Sequence, residues 1–180
     1  MENKIVKHCI KKSILILSVA FLGGMILGMV LEKAMPSDYN FTILSEKDIY
    51  NNNITTLKQT IGYGFLSFGL YSVYFCFIFG KLVGQGMAIL FGNYGINGVI
   101  YGFLPHAVIE AASCLCAAVL PMFWWNIILN TFLKKNNIVK KKIMFRTLVI
   151  MSVIGILVVS FCYFAAYIEY NVTEMFWRNQ

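Results

Sequence analysis

Long uncharged stretches are the feature of this sequence that most constrains its fold. Five of them contain no Asp, Glu, Lys or Arg: residues 13–31, 59–80, 82–109, 111–133 and 147–168. A helix needs about 20 apolar residues to cross a hydrocarbon core of about 30 Å, so each stretch is long enough to span a bilayer. Their residues lack the alternating pattern of outer-membrane strands. The sequence therefore predicts an all-α integral membrane protein, a bundle of about five transmembrane helices.

The composition excludes a soluble cytosolic enzyme. Only 13% of the 180 residues are charged and 59% are hydrophobic, whereas a soluble domain carries about 25% charged residues. No polar stretch is long enough to bury a core of its own. We therefore expect one polytopic membrane domain over residues 1–180, with the lipid bilayer as its first partner.

The basic residues form two short runs that predict the orientation. Lys4, Lys7, Lys11 and Lys12 precede the first uncharged stretch. The second run, between the last two stretches, consists of Lys134, Lys135, Lys140, Lys141, Lys142 and Arg146. The positive-inside rule assigns both runs to the cytoplasm. Because the basic residues flank apolar stretches, the net charge of +7 indicates membrane orientation, and we do not expect nucleic-acid binding.

An even number of crossings must separate the two basic runs, and four fit the sequence best. The predicted spans are residues 13–35, 55–80, 82–103, 105–132 and 145–168. This arrangement gives a cytoplasmic N-terminus and an extracellular C-terminus. The segment 36–58 and the tail have no basic excess, which fits an outside location.

The predicted third segment, residues 82–103, is short and rich in glycine. Gly92, Gly95 and Gly98 interrupt it around Asn93 and Asn97. Irregular backbone is tolerated at membrane depth only where protein or a wet cavity surrounds it. A full span, two half-helices and a re-entrant hairpin all stay open for this segment.

Glu110 is the anomalous residue of the apolar region. Between Gln59 and Leu133 only Lys81 and Glu110 are charged, and we expect Lys81 to lie at a span boundary where its stem can snorkel. A carboxylate inside a span is costly unless it is paired, protonated or wetted. His106 stands four residues earlier, on the same helical face, and Pro105 suits the first turn of a helix.

Three interpretations of the His106 and Glu110 pair compete. The two side chains could fix a broken helix near Gly98 and Gly102, or they could line a pathway or a partner groove. The third interpretation is chemistry or metal binding, in which Cys114 extends the stripe on the same face. A metal site needs about four ligands and His8 is the only other histidine, so we expect no metal and no other cofactor.

Enzyme motifs are missing from the sequence. It contains no HExxH, no GxSxG, no P-loop and no paired intramembrane aspartates. We therefore expect a protein that is not an enzyme, with no catalytic residue. An intramembrane hydrolase that used Glu110 would lose turnover on Glu110→Gln while its assembly stayed intact.

Several glycines have the four-residue spacing that lets helix backbones touch. Gly80 and Gly84 form one such pair, Gly98 and Gly102 form another, and Gly24-xxx-Gly28 lies in the first span. The spacing fits packing within the chain or a homodimer.

The region from residue 50 to 133 resembles the stage II sporulation protein M family of bacterial membrane proteins. The likeness includes Asn51, Asn52 and Asn53 before a glycine-rich span (Ile61-Gly62 to Phe68-Gly69) and the small-residue helix from Gly80 to Gly86. Its most specific element is Leu-Pro-His-x-x-x-Glu at Leu104 to Glu110. The chain departs from the family pattern at Ala107, where members mostly have glycine, and at Phe79, where an asparagine often precedes the glycine.

The resemblance implies a protein of about five spans in the bacterial inner membrane, without catalytic activity. The founding member is similar to a scaffold that joins a peptidoglycan-degrading partner to a second anchored protein during engulfment. Other relatives resemble membrane subunits encoded beside ABC-type ATPases or with circular bacteriocin production genes. By this analogy the family signature transfers to Pro105, His106 and Glu110.

These observations predict a membrane subunit or scaffold of a multiprotein complex, with the 134–146 loop as its cytoplasmic contact. The alternative is a permease-like subunit of an ABC-type exporter or bacteriocin secretion and immunity system. The expected partners are therefore an ABC-type ATPase or cell-wall remodelling proteins.

Overall fold

The computed structural model describes residues 2–34, 45–132 and 137–173, and these residues are almost wholly helical. Five α-helices follow one another: α1 (Glu2–Ala34), α2 (Glu46–Leu66), α3 (Leu70–Gly102), α4 (Leu104–Phe132) and α5 (Asn137–Ile168). A π-helical turn, Glu169–Thr173, continues α5. The predicted all-α class is confirmed, because the described residues contain no strand.

Four of the helices are long and apolar enough to cross a membrane. The candidate spans are Lys4–Ala34, Leu70–Gly102, Leu104–Thr131 and Ile138–Asn171. Helix α2 is the exception, because Asn, Thr, Lys and Gln interrupt its apolar residues over a length of 21 residues. The prediction of a helical membrane bundle is confirmed at this level, with four apolar spans in place of five.

The predicted division between the second and third spans is wrong. We expected a boundary at Lys81, but α3 runs through this residue for 33 residues. The chain turns instead at Ser67–Gly69, where Phe68 has a φ of 56° and Gly69 a φ of 88°. Glycine tolerates this left-handed conformation without steric cost, and the amide of Gly69 donates to the carbonyl of Gly64 at 2.8 Å.

The glycine-rich segment 82–103 is therefore the second half of a long helix and not a short span of its own. The expectation of a break is met at Gly95, whose φ of 64° and ψ of −157° are non-helical. Gly92 and Gly98 stay within helical turns on either side.

Helices α1 and α3 pack in parallel along most of their length. Gly24 lies against Phe77, and Gly28, one turn later, lies against Lys81. Because neighbours in α1 and α3 advance together along the chain, the two helices have the same direction. Helix α2 must therefore carry the chain back along the bundle between them.

Helix α4 runs antiparallel to α1 and α5. Asn126 of α4 donates to Ser13 Oγ of α1 at 2.9 Å, and Ser113 Oγ donates to the Val158 carbonyl of α5 at 3.1 Å. Helix α2 follows the same direction as α4, because Gly64 contacts Pro121 and the Phe65 carbonyl accepts from Trp125 Nε1 at 2.9 Å. Directions along the chain thus alternate from α1 to α5.

The core lies where α1, α4 and α5 meet, around the fully buried side chains of Leu17, Phe123, Ile127 and Ile143. A second cluster joins α2 to α4 and α5. Its buried members are Leu57, Cys114, Ala117, Val158 and Cys162. This second cluster fixes the middle of α2 at the level of the middle of α4 and of the last third of α5.

Candidate functional site

The Leu-Pro-His-x-x-x-Glu motif occupies the first two turns of α4. Helix α3 ends at Gly102 and α4 begins at Leu104, so Pro105 lies in the first turn, where its missing N–H costs nothing. The Ala107 amide donates to the Phe103 carbonyl at 3.1 Å and closes this tight connection. The His106 ring contacts Phe103 edge-on, with the ring centroids 5.5 Å apart.

Glu110 lies where three helical segments meet. Its half-buried carboxyl faces Asn53 of α2 and is close enough to Glu169, in the π-helical turn after α5, for the two charges to interact. We call Asn53, Glu110 and Glu169 the Glu110 cluster. The cluster joins the start of α2, the start of α4 and the end of α5 at one end of the bundle.

The Asn53 amide nitrogen is buried beside the Glu110 carboxyl. It does not reach hydrogen-bond geometry with any partner among the described residues. The neighbouring rings of Tyr50 and Tyr163, 6.4 Å apart and edge-on, pack α2 against α5 next to it. The Glu110 carboxyl is thus the polar neighbour of a buried amide that has no described hydrogen-bond partner.

The neighbours of Glu110 act in opposite directions on the cost of placing a carboxyl group in an apolar bundle. An isolated carboxylate at mid-membrane costs about 3 kcal/mol. A neighbouring amide donor lowers this cost, whereas a second carboxylate raises it through repulsion. The cluster can therefore hold a proton, accept a polar partner, or act as a structural joint between α2, α4 and α5.

The sequence could not have predicted the partners of Glu110. Asn53 and Glu169 are more than fifty residues away on either side, and neither spacing carries a signal. Asn53 enters the sequence argument only through the family resemblance. His106 and Glu110 lie one helical turn apart in α4, as their four-residue spacing predicts. The distant partners of Glu110 are brought to it only by the fold.

Among the described residues, no group of three or more His, Cys, Asp and Glu side chains is arranged to hold a metal ion. Cys114 lies on the predicted stripe with Glu110, but it is buried in the cluster around Leu57. The cysteines of the described helices are free thiols, and four of the five are buried.

Gly80 and Gly84 lie at the α1–α3 contact. A Cβ atom added to Gly80 would overlap the Phe21 carbonyl oxygen, and one added to Gly84 would overlap that of Met25. Gly24 and Gly28 meet the carbonyl oxygens of Phe77 and Lys81 in the same way. Both predicted small-residue faces are thus used within the chain and are not free for a homodimer.

The second predicted glycine pair has a different environment. Gly98 is buried, and an added Cβ would crowd Tyr94 and the Leu90 carbonyl of its own helix, next to the irregular Gly95. Gly102 is buried at the last residue of α3. These two glycines therefore belong to the bend and the end of α3.

The predicted cytoplasmic contact lies at the opposite end of the bundle from the Glu110 cluster. Lys141, Lys142 and Arg146 are exposed on the first turns of α5, whereas Lys134 and Lys135 lie outside the described residues. Lys140 is half-buried beside a hollow of about 260 Å³ that Ile128, Thr131 and Met144 also line. The start of α1 reaches the same end, because Cys9 contacts Asn130.

One face of α2 is polar, which the predicted span over 55–80 did not include as a feature. Asn51, Asn52, Thr55, Lys58 and Gln59 recur at helical spacing and are all exposed, while Leu57 and Thr60 on the other side are buried. The polar run from Asn51 to Gln59 is visible in the sequence. It was not recognised as a helix face because its second half was assigned to the apolar span predicted over 55–80. We call these five exposed residues the polar face of α2.

Comparisons of the chain with protein families, with curated proteins and with solved structures find no match.

Proposed function

We propose that this chain is a non-enzymatic membrane subunit or scaffold of a multiprotein complex of the stage II sporulation protein M type, in a bacterial cytoplasmic membrane. The observation that carries the proposal is the placement of the motif residues. Pro105 begins α4, His106 packs on Phe103, and Glu110 meets α2 and the end of α5. Polar residues used to join helices favour an architectural role.

Five crossings follow from the helix directions, if the apolar helices span the bilayer. Helices α1 and α3 are parallel neighbours, so the chain must recross between them, and α2 is the segment that lies there. Its middle packs against the middle of α4 and the last third of α5. We therefore take α2 as the fifth, polar crossing, with the N-terminus and the C-terminus on opposite sides.

The charge distribution supports a cytoplasmic location for the basic end. Lys4, Lys7, Lys11 and Lys12 of α1 share this end with the start of α5, whereas Glu110 and Glu169 lie at the other. The positive-inside rule then makes the start of α5 the cytoplasmic contact for a soluble partner. The Glu110 cluster lies toward the extracellular side.

The close contact of α1 and α3 supports a rigid scaffold. Four glycines let the backbones approach until Cα–H groups face carbonyl oxygens, a contact that stabilises helix pairs in membranes. Because the glycine faces are buried within the chain, other surfaces must bind partners.

Co-purification tests the proposal. The tagged protein is extracted from its native host in mild detergent, and near-stoichiometric companions are identified by mass spectrometry. Cell-wall remodelling proteins without an ATPase would support the scaffold. Recovery of the chain alone, at several detergent stringencies and after mild crosslinking, would contradict a complex of any kind.

The alternative is a permease-like subunit of an ABC-type exporter or bacteriocin secretion and immunity system. The observation that favours it is the carboxyl pair Glu110 and Glu169 with the unpaired Asn53 amide, which could serve a polar pathway. An ATPase bound near stoichiometry, and peptide resistance that depends on ATP hydrolysis and on Glu110, would establish this function instead.

A further inference from the structure

If α2 is the fifth crossing, as proposed, Lys58 on its polar face lies at a depth where a membrane offers no water. Leu57, one residue before Lys58, lies in a buried cluster with Ala117, in the middle of α4, and with Val158, ten residues before the end of α5. At 1.5 Å per residue, Lys58 is about 12 Å from the nearer end of α2. The stem of a lysine is too short to carry its ammonium from there to the membrane surface.

No carboxylate in the described part of the chain neutralises this face. Lys58 and Gln59 are exposed, and Lys58 pairs with no carboxylate among the described residues. The carboxylates whose side chains are described lie toward the helix ends or turn into the bundle: Glu32, Glu46, Asp48, Glu110 and Glu169. Thr56 and Thr60 donate to the carbonyls of Asn52 and Thr56, at 3.0 and 2.8 Å, so these two hydroxyls are satisfied within α2.

The geometry points to a binding surface for a transmembrane helix of another protein that carries an Asp or Glu at the depth of Lys58. Asn, Thr and Gln side chains hydrogen-bond between helices in membranes, and buried intramembrane charges pair with opposite charges. This inference rests on the proposed function, since it names the surface by which the subunit joins its complex.

Charge complementarity selects another protein over a second copy. A twofold contact through the same face would set Lys58 of one chain near Lys58 of the other, because such an interface is isologous. The described part of the chain offers no exposed carboxylate at this depth to relieve the repulsion. A heterologous partner with a carboxylate has no such penalty.

Site-specific photocrosslinking in native membranes tests the inference. A photoreactive residue replaces Thr55 or Gln59 on the polar face of α2, and Val153, an exposed residue of α5 (54%), serves as the lipid-facing control. We expect a discrete crosslink from Thr55 and Gln59, absent at Val153, to a protein with an Asp or Glu in a transmembrane segment.

Charge exchange then identifies the pair. Lys58→Glu should lower the crosslink yield at least tenfold, and a lysine at the partner's carboxylate should restore it. Lys47→Glu, the same change at the exposed start of α2, should leave the yield within twofold. Equal accumulation of all variants in the membrane shows that folding is intact. If Lys58→Glu does not accumulate, Lys58→Arg, which keeps the charge, is compared with the parent and should retain the crosslink.

Three results would overturn the inference. One is a crosslink only to a differently tagged copy of this chain. Another is the absence of a crosslink together with labelling of Gln59→Cys by an impermeant thiol reagent. That result would show that a water-filled groove lies beside the polar face of α2. The third is neither crosslink nor labelling above the Val153 level. If partners co-purify but crosslink only from other surfaces, the inference fails while the proposed function stands; if nothing co-purifies, both fail.

Discussion

At the scale of single residues, polar side chains in this bundle serve as joints between helices. Glu110 meets Asn53 and Glu169, Asn126 bonds Ser13, and Ser113 bonds the Val158 carbonyl. Each contact joins segments far apart in sequence. Their positions are fixed by the fold, which is why a motif search finds Glu110 but not its partners.

Glu110→Gln should fold and assemble nearly as the parent does, because a neutral amide of the same length still faces Asn53 and removes the charge interaction with Glu169. Glu110→Leu should lower the free energy of unfolding by about 1 to 3 kcal/mol, because the buried Asn53 amide would then face an apolar side chain in place of a polar one. The midpoint of thermal unfolding in detergent, read from the loss of the monodisperse peak, measures the difference in stability between the two variants. A glutamine variant as unstable as the leucine variant would mean that the charge itself is needed.

Trp125→Phe tests the anchor of the α2–α3 turn. The substitution removes the 2.9 Å hydrogen bond to the Phe65 carbonyl but keeps an aromatic ring beside Phe68, whose centroid lies 4.5 Å from that of Trp125. We expect a loss of about 1 kcal/mol. Trp124→Phe is the matched control, and a loss as large in that variant would argue against a specific role for the bond.

At the scale of helices, the α1–α3 pair depends on backbone contact. Gly24 is buried against the Phe77 carbonyl, whereas its neighbour Gly23 is exposed with nothing near its Cβ position. The two adjacent glycines therefore offer a matched comparison. The same substitution at each should have opposite effects.

Gly24→Ala should destabilise the protein by about 1 to 3 kcal/mol, because the new methyl group forces the helices apart. Gly23→Ala should be neutral or stabilising by up to about 1 kcal/mol, the helix propensity gain of alanine over glycine. Thermal unfolding of the two variants under one condition decides the point. Equal effects would contradict the close contact.

The break in α3 offers a second comparison between glycines. Gly95 has backbone angles that only glycine adopts readily, while Gly92 is helical and has open space at its Cβ position. Gly95→Ala should cost about 1 to 3 kcal/mol, and Gly92→Ala should not destabilise. Stability of both variants at the parent level would mean that α3 does not need its bend.

Sequence patterns predicted some helices well and others poorly, for physical reasons. The length of their apolar stretches identified α1, α4 and α5. The spacing of Gly24, Gly28, Gly80 and Gly84 indicated that the helices carrying them approach another helix closely, but it did not indicate which one. The α2–α3 turn was missed because a glycine in the left-handed conformation looks like any other glycine in an apolar run. Lys81 was mistaken for a boundary, although its backbone packs against Gly28 inside the helix pair.

At the scale of the whole molecule, the alternating helix directions and the polar α2 define the architecture on which the proposed function depends. Four apolar helices alone would return the chain to its starting side. The parallel contact of α1 and α3 is the observation behind the proposed fifth crossing, which we assign to α2, the helix with the polar face. The proposed complex would cover this face and remove the cost of exposing it to lipid.

The sidedness of the two termini tests this architecture most directly. A fluorescent protein that matures only in the cytoplasm and an alkaline phosphatase that is active only outside are fused to each end in turn, in the otherwise intact chain. The account predicts fluorescence from the N-terminal fusion and phosphatase activity from the C-terminal fusion. Both termini on the same side would contradict it, because α2 would then not cross the membrane.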